Sequence, residues 1–410
     1  MRSLVEPEDL LFSANSLLCN LLNDWNLQYG LGSIENSVYH TAWVSMVLKN
    51  DEWAFPECFE FLVNSQREDG SWGNTASAVD QICNGLASLL AIQRHLRGPV
   101  NHSEAGRDDL QRRSNRAIQF IRATLSEWNI QSYDETLPIG FELWFPVLLE
   151  LLEKEGLVFE VPGIDRILKI REAKLSKFSI EDLYGEKPLS ILYSLEAFIG
   201  IADFSRLGHH KRLGCIHYSP SATAVYLMEA PDWDEEAEAF LRHIVQLSVA
   251  HDRGVPETFP TSFFETSWVL STLLHYGFSR DELEQDVLQQ LQDRLVGHFE
   301  DQNGLVGAAE SVPPDPDDTA KMLTTLHLLG QSFSPDRMIQ RWEGPDHFMV
   351  FTGERNASPT ANANVLLALV HLSSNGEYSQ SIRKCIHFLC RCWWETDGLL
   401  HDKWVCQANF

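Results

Sequence analysis

An all-α fold follows from three observations on this 410-residue chain. Apolar residues recur at three- and four-residue spacing in ten separate stretches, and alternating strand patterns are almost absent. The connectors are short and rich in Gly, Pro, Asp and Asn, as antiparallel helical pairs require. In chain order the helical stretches are Leu10 to Leu22, broken by Asn15 and Asn20, then Ala78 to Leu96, Arg116 to Leu125, Phe141 to Leu152 and Ala237 to Val249. Phe263 to Tyr276, Leu283 to Phe299, Ala320 to Leu329, Ala361 to Leu372 and Ile382 to Trp393 follow. Arg97 to Arg113 is polar and charged and reads as a surface loop. The acidic run Asp232-Trp233-Asp234-Glu235-Glu236 reads as a helix N-terminus.

A weak repeat overlies this pattern. Thr-Ala stands at or near a helix start at Thr41-Ala42, Thr75-Ala76, Thr223-Ala224, Thr319-Ala320 and Thr360-Ala361, where small residues allow close packing. Turns of similar character occur at Gln66 to Gly73, Asp301 to Gly304 and Glu395 to Gly398. Repeated helix pairs of this type predict α/α barrels, and the length allows two or three domains.

With 32 Lys and Arg against 58 Asp and Glu, the formal charge of −26 argues against nucleic acid and anionic membranes as partners. The eight cysteines lack zinc-site spacing with histidines and read as reduced core residues. No apolar run approaches the roughly 20 residues of a membrane span, and no secretory signal is visible, so a cytoplasmic protein is expected. A homo-oligomer is compatible with the sequence.

Ser311 to Ala320 crowds Asp315, Asp317 and Asp318 where a Pro-rich loop gives way to a helix. Like charges this close raise at least one pKa, so the cluster is expected to retain a proton near neutral pH. The plainer reading is that Asp315 or Asp318 caps the helix, with Pro316 pre-setting its first turn.

With Gln66-Arg67-Glu68-Asp69-Gly70-Ser71-Trp72-Gly73 as a QW-like motif and Asp315-Pro316-Asp317-Asp318 as a DxDD motif, the chain resembles the class II terpene cyclases, most closely the copalyl diphosphate synthase type of diterpene cyclase. Collinear support comes from Val38 to Trp43, Leu137 to Glu142, Tyr218 to Ala224, Gly254 to Pro256, Phe264 to Trp268 and Asp402-Lys403-Trp404. The resemblance implies two α/α barrels, with residues 1–30 the first helix of a β domain, 31–251 an inserted γ domain and 252–410 the rest of β. It also implies an active site between the two. Bifunctional members add an α domain with a DDxxD metal motif, which this sequence lacks; it resembles the γβ portion of a fungal-like diterpene synthase. Only Val405 to Phe410 follow Asp402-Lys403-Trp404, so the β barrel is expected to be short of its closing helices.

The implied reaction is protonation of the terminal alkene of geranylgeranyl diphosphate, bicyclisation to a copalyl-type diphosphate and loss of a proton, with the diphosphate retained. By resemblance Asp317 is the proton donor, Asp315 and Asp318 tune it, and Asn364 hydrogen-bonds it. Lys174 and Lys403 are the implied diphosphate ligands, and Asp134 and Glu135 stand where the family places a magnesium-associated motif. Trp43, Phe141, Trp144, Phe264 and Trp268 are candidates to line a carbocation pocket, Trp268 being singled out by its motif. Among 22 Phe, 12 Trp and 9 Tyr, however, most must be plain core. Plant members terminate with a His and an Asn holding a water; here Tyr193 and Glu257 stand instead, and an ionised Glu is the better base. His40 replaces the family's Asp and reads as a surface or packing change. The alternatives are a farnesyl diphosphate cyclase giving a drimane skeleton, and a non-catalytic or incomplete γβ scaffold.

Overall fold

The computed structural model describes residues 7–73, 77–99, 103–128, 140–187, 189–247, 253–310, 312–351, 354 and 356–395. Among the described residues helix accounts for 64% and strand for 4%, the strands forming two-residue ladders and no closed barrel. The chain divides into two units, Met1–Gly32 with Pro260–Phe410, and Ser33–Phe259 between them. The second break falls at Pro260, later than the expected boundary at residue 252. Val255–Pro256 pairs with Asn36–Ser37, and Phe259 N donates to Tyr218 O at 3.1 Å, which ties this stretch to the second unit.

The first unit begins with α1 (Pro7–Asn23), which buries Ala14, Leu18 and Leu21 as one stripe in that unit's core. The second unit opens on α2 (Val38–Ser45), capped by Ser37, and α3 (Pro56–Ser65), which has proline at its first position. The Gln66–Gly73 turn then locks α3 in place. Trp72 is fully buried with its indole donating to Leu62 O at 2.9 Å, and Gln66 Nε2 donates to Arg113 O at 3.1 Å. Gly70 sits at φ 92°, and a Cβ there would lie 2.5 Å from the Arg116 carbonyl carbon, so only glycine fits.

Next come α4 (Ala78–Arg97), capped by Ser77, and α5 (Glu104–Glu127), capped by Ser103. α5 corrects the loop expected over Arg97 to Arg113. Its inward stripe is Leu110, Ser114, Ala117, Ile121 and Leu125, too sparse and small at its start to read as amphipathic. α6 (Phe141–Lys154), α7 (Ile164–Leu175), a 3-10 stretch over Ser190–Phe198, α8 (Pro220–Glu229) and α9 (Glu235–Leu247) complete the unit. Asp234 Oδ1 accepts from Glu236 N and Ala237 N at 3.1 and 3.0 Å, so the acidic run does begin a helix.

The first unit resumes with α10 (Ser262–Tyr276), α11 (Gln285–Asp301), α12 (Pro316–Leu328), α13 (Asp336–Trp342), α14 (Pro359–Leu372) and α15 (Ser379–Glu395). α12 packs against both α10 and α14. The Thr-Ala helices pair with one another, α2 with α8 and α12 with α14, and the Thr and Ala of α2, α8 and α12 are fully buried. Thr75-Ala76 lies outside the described residues. No helix among the described residues is long and apolar enough to cross a membrane.

Candidate active site

In the first unit the loop before α12 is fixed to the helix itself. Val306 N donates to Thr319 Oγ1, which donates back to Val306 O, both at 3.0 Å. Asp315 is the N-cap: its Oδ1 accepts from Asp318 N at 2.8 Å, and Pro316 follows at the first helical position. The capping role and the crowding therefore coexist. Burial, with Asp317 next in effect, pushes the Asp315 carboxyl from the usual 3.8 up to about 7. Burial likewise raises Asp318 well above the carboxylate range, with Asp315 and then Asp317 adding to it. The two carboxyls share a hydrogen bond. A helix N-terminus favours a carboxylate by only about 0.3–1 kcal/mol. Desolvation, with the Asp317 charge added, outweighs that preference, so the cluster holds a proton near neutrality.

Asp317 is reached from α14. Asn364 Nδ2 donates to Asp317 Oδ1 at 2.7 Å. The neighbouring Asn362 is committed elsewhere, to Phe348 N and O at 2.8 and 3.0 Å and Ser358 O at 2.9 Å. Trp268, on α10, stacks on Phe264 with centroids 4.3 Å apart, and the Lys321 ammonium of α12 sits over its ring at 4.9 Å. Lys321 had no signal in the sequence reading beyond its place four residues after Asp317.

In the second unit Tyr193 Oη donates to the main-chain carbonyl of Glu257 at 3.0 Å. Burial and then the Glu257 charge push its hydroxyl well above the usual phenol value, which makes it a donor and not a base. Glu257 is solvent-accessible by area, yet the atoms crowded around its carboxyl desolvate it, and with Asp80 they raise its pKa. His40 is buried, accepts from Ser221 N at 3.2 Å through Nδ1 and is pushed down to about 3 by burial. It is a neutral packing residue joining α2 to α8, not a surface one. Beside it the sequence reading missed a pair: Tyr39 Oη donates at 2.7 Å to Glu196 Oε1, whose carboxyl burial raises to about 7.

Lys174 Nζ donates to Glu142 Oε1 at 2.8 Å; the lysine side chain is 40% exposed and the glutamate 6%. A diphosphate at Lys174 would share that cation with a buried carboxylate. Gly140 positions Glu142 two residues later. It holds φ 82° at the start of α6, and a Cβ there would come within 2.8 Å of Ser194 Oγ. Trp43 and Phe141 are fully buried, Phe141 stacking on Phe145 at 4.6 Å. Trp144 is 9% exposed and packs on Tyr39 at 5.0 Å. Lys403, Asp134 and Glu135 lie outside the described residues. Among the described residues no group of three or more His, Cys, Asp or Glu could hold a metal ion.

The chain is 43% identical over 398 residues to phyllocladan-16-alpha-ol synthase of Phomopsis amygdali, covering 95% of this chain and 39% of that protein. It is 40% identical over 405 residues to copalyl diphosphate synthase of Talaromyces verruculosus, covering 98% and 42%. The crystal structure of ent-copalyl diphosphate synthase from Arabidopsis thaliana, in complex with (S)-15-aza-14,15-dihydrogeranylgeranyl thiolodiphosphate, matches 97% of this chain and 54% of that one, with TM-score 0.76 and 27% identity. The chain is a homologue of the diterpene synthases. Its fold is that of the class II terpene cyclases. No family model matches. The chain spans about two fifths of the length of the curated diterpene synthases it matches.

Proposed function

We propose that this chain is a class II diterpene cyclase that converts geranylgeranyl diphosphate to a copalyl-type diphosphate, an isomerisation in which the diphosphate is kept. The observation that carries the reading is Asp317 flanked by the desolvated carboxyls of Asp315 and Asp318, with Asn364 donating to it. An alkene is a very poor base, so its acid must arrive protonated, aimed and shielded from water. Asp317 gives its proton from the oxygen opposite the Asn364 bond to the terminal alkene carbon. The cation closes two rings, and a proton leaves to a base. Glu257 is the better acceptor, because Tyr193 is held as a donor and pushed away from ionisation. The diphosphate is bound by Lys174 and Lys403. Asp134 and Glu135 would hold Mg²⁺ through their carboxylate oxygens, and the ion would supply charge neutralisation for the diphosphate.

The test is incubation of the purified chain with geranylgeranyl diphosphate and Mg²⁺, dephosphorylation, and mass spectrometry for bicyclic copalol-type alcohols. Asp317→Ala and a chelator-treated sample run alongside. We expect product from the wild type, none above background from Asp317→Ala, and a fall on chelation that added Mg²⁺ restores. Drimane alcohols from farnesyl diphosphate alone would shorten the substrate. A folded chain that turns over neither substrate would replace this reading by the scaffold.

A further inference from the structure

Lys321 follows Asp317 by four residues on α12, so the two side chains share one helix face a turn apart. Instead of extending into water, its ammonium lies over the ring of Trp268 on α10, at 4.9 Å from the centroid. Phe264 stacks on that ring from one turn earlier in α10, and Thr325 Oγ1 bonds Ser267 O at 2.9 Å, stitching α12 to α10 beside it. The ammonium is half-buried, which disfavours its charge, while Asp317 favours it. A half-buried lysine held this way in a chain of net charge −26 calls for a reason that solvation alone does not supply.

We propose that Lys321 is a positioning residue for the acid: its ammonium, held over Trp268, stabilises the carboxylate that Asp317 becomes when its proton is transferred. This rests on the cyclase reading above. In the step, the Asp317 O–H bond breaks, its electron pair stays on the carboxyl oxygen, and the new C–H bond leaves the positive charge on the substrate. The neutral acid gains little from a neighbouring cation and the carboxylate gains much, so the contact acts mainly as charge develops. Asp315 and Asp318 do the opposite, keeping the proton resident beforehand. The division of labour also reassigns Trp268, whose ring is occupied by Lys321 and Phe264, from substrate lining to holding the ammonium.

The groups set around this pair come from each element packed on α12. Its own helix brings Asp315, Asp318 and, near its far end, His327. α14 brings the neutral amide of Asn364 to Asp317 and carries His371, whose ring lies 5.6 Å from that of His327. α10 brings Trp268 and carries Glu265, which accepts from Thr261 Oγ1 at 2.6 Å, and His275, 5.5 Å from His371. On α11, His298 stacks on Phe263 at 3.6 Å, and the acidic side chains Asp286, Asp293, Glu300 and Asp301 are exposed; Arg294, half-buried, lies over Trp25 at 4.8 Å. On α13, Asp336, Arg337 and Arg341 are exposed. Lys321 is thus the cation on the acid's own face of α12.

The experiment titrates Asp317 in chain labelled with carboxyl-¹³C aspartate, assigned by difference from Asp317→Asn, in wild type, Lys321→Met and Lys321→Arg, each checked for an unchanged melting curve. We expect the Asp317 midpoint to rise by about 1 pH unit or more in Lys321→Met and to return in Lys321→Arg. In steady-state assays kcat is expected to fall about 10- to 100-fold in Lys321→Met, with KM within about twofold and partial recovery in Lys321→Arg. Trp268→Leu, which frees the ammonium without removing it, is expected to give an intermediate loss. An Asp317 midpoint unmoved in folded Lys321→Met overturns the proposal, as does a KM effect with kcat unchanged. If the wild type turns over no prenyl diphosphate, the cyclase reading falls by itself, and the titration still decides whether Lys321 acts on Asp317.

Discussion

Asp315 carries two demands that pull apart. As an N-cap it is best ionised, since a carboxylate accepts the Asp318 amide and meets the positive helix end. As a buried group beside Asp317 and Asp318 it is best neutral. The conflict has a measurable sign. A carboxyl whose folded pKa of about 7 exceeds its unfolded value holds stability that is full below about pH 4 and is lost as pH rises through 7. Asp315→Asn keeps the capping oxygen and removes the titration. We therefore expect it to raise stability by about 1–3 kcal/mol at pH 8, the gain shrinking to nothing as pH falls toward 4. Urea unfolding of the variant and the wild type at pH 8, 6 and 4 checks this, and a gain that is constant with pH would refute it.

Elements were legible where one face is apolar and the other is not. α2 and α8 were marked only by their Thr-Ala dipeptides, because they are buried on nearly all sides, His40 through Ser45 and Pro220 through Leu227, so no polar face marks their period. α7 was missed for the opposite reason, with Ile167 its one fully buried residue, and α13 is only seven residues long. The QW-like turn shows what a motif can fix locally. Asp69 Oδ1 accepts from Ser71 N and Oγ at 2.9 and 2.7 Å, and that turn delivers Trp72 into the core under α3. Replacing Trp72 by Ala removes a fully buried ring and the donor to Leu62 O. We expect a loss of about 3–5 kcal/mol by denaturant unfolding, with the Asp317-dependent chemistry affected only through the fraction folded.

At the scale of the whole molecule the nesting of one unit in the other makes an asymmetric prediction. Residues 33–259 are continuous, and their two ends are paired at Ser37 and Val255. The other unit draws its core from both sides of that insertion: Ala14, Leu18 and Leu21 pack with Leu288, Leu291 and Leu295. Its two pieces also meet where Leu31 N donates to Ser262 Oγ and Thr261 N to Leu31 O, both at 2.8 Å. Residues 33–259 expressed alone should therefore give a helical circular dichroism spectrum and a cooperative melt. Residues 260–410 alone, lacking α1, should melt broadly or not at all.

The sequence by itself determined the helical class, the start of α12 and the kinship with diterpene cyclases. Each depends on neighbours in the chain: an apolar period, a Pro after an Asp cap, a run of motifs in order. The chemistry of the site was decided by tertiary structure. Asn364 meets Asp317 across the α12–α14 contact, Lys174 pairs with Glu142, Tyr39 donates to Glu196, and Lys321 finds Trp268 on another helix. Protonation follows the same rule, because the free energy that keeps a proton on Asp315 and Asp318 comes from removing water around them, and only the packing of distant helices removes it.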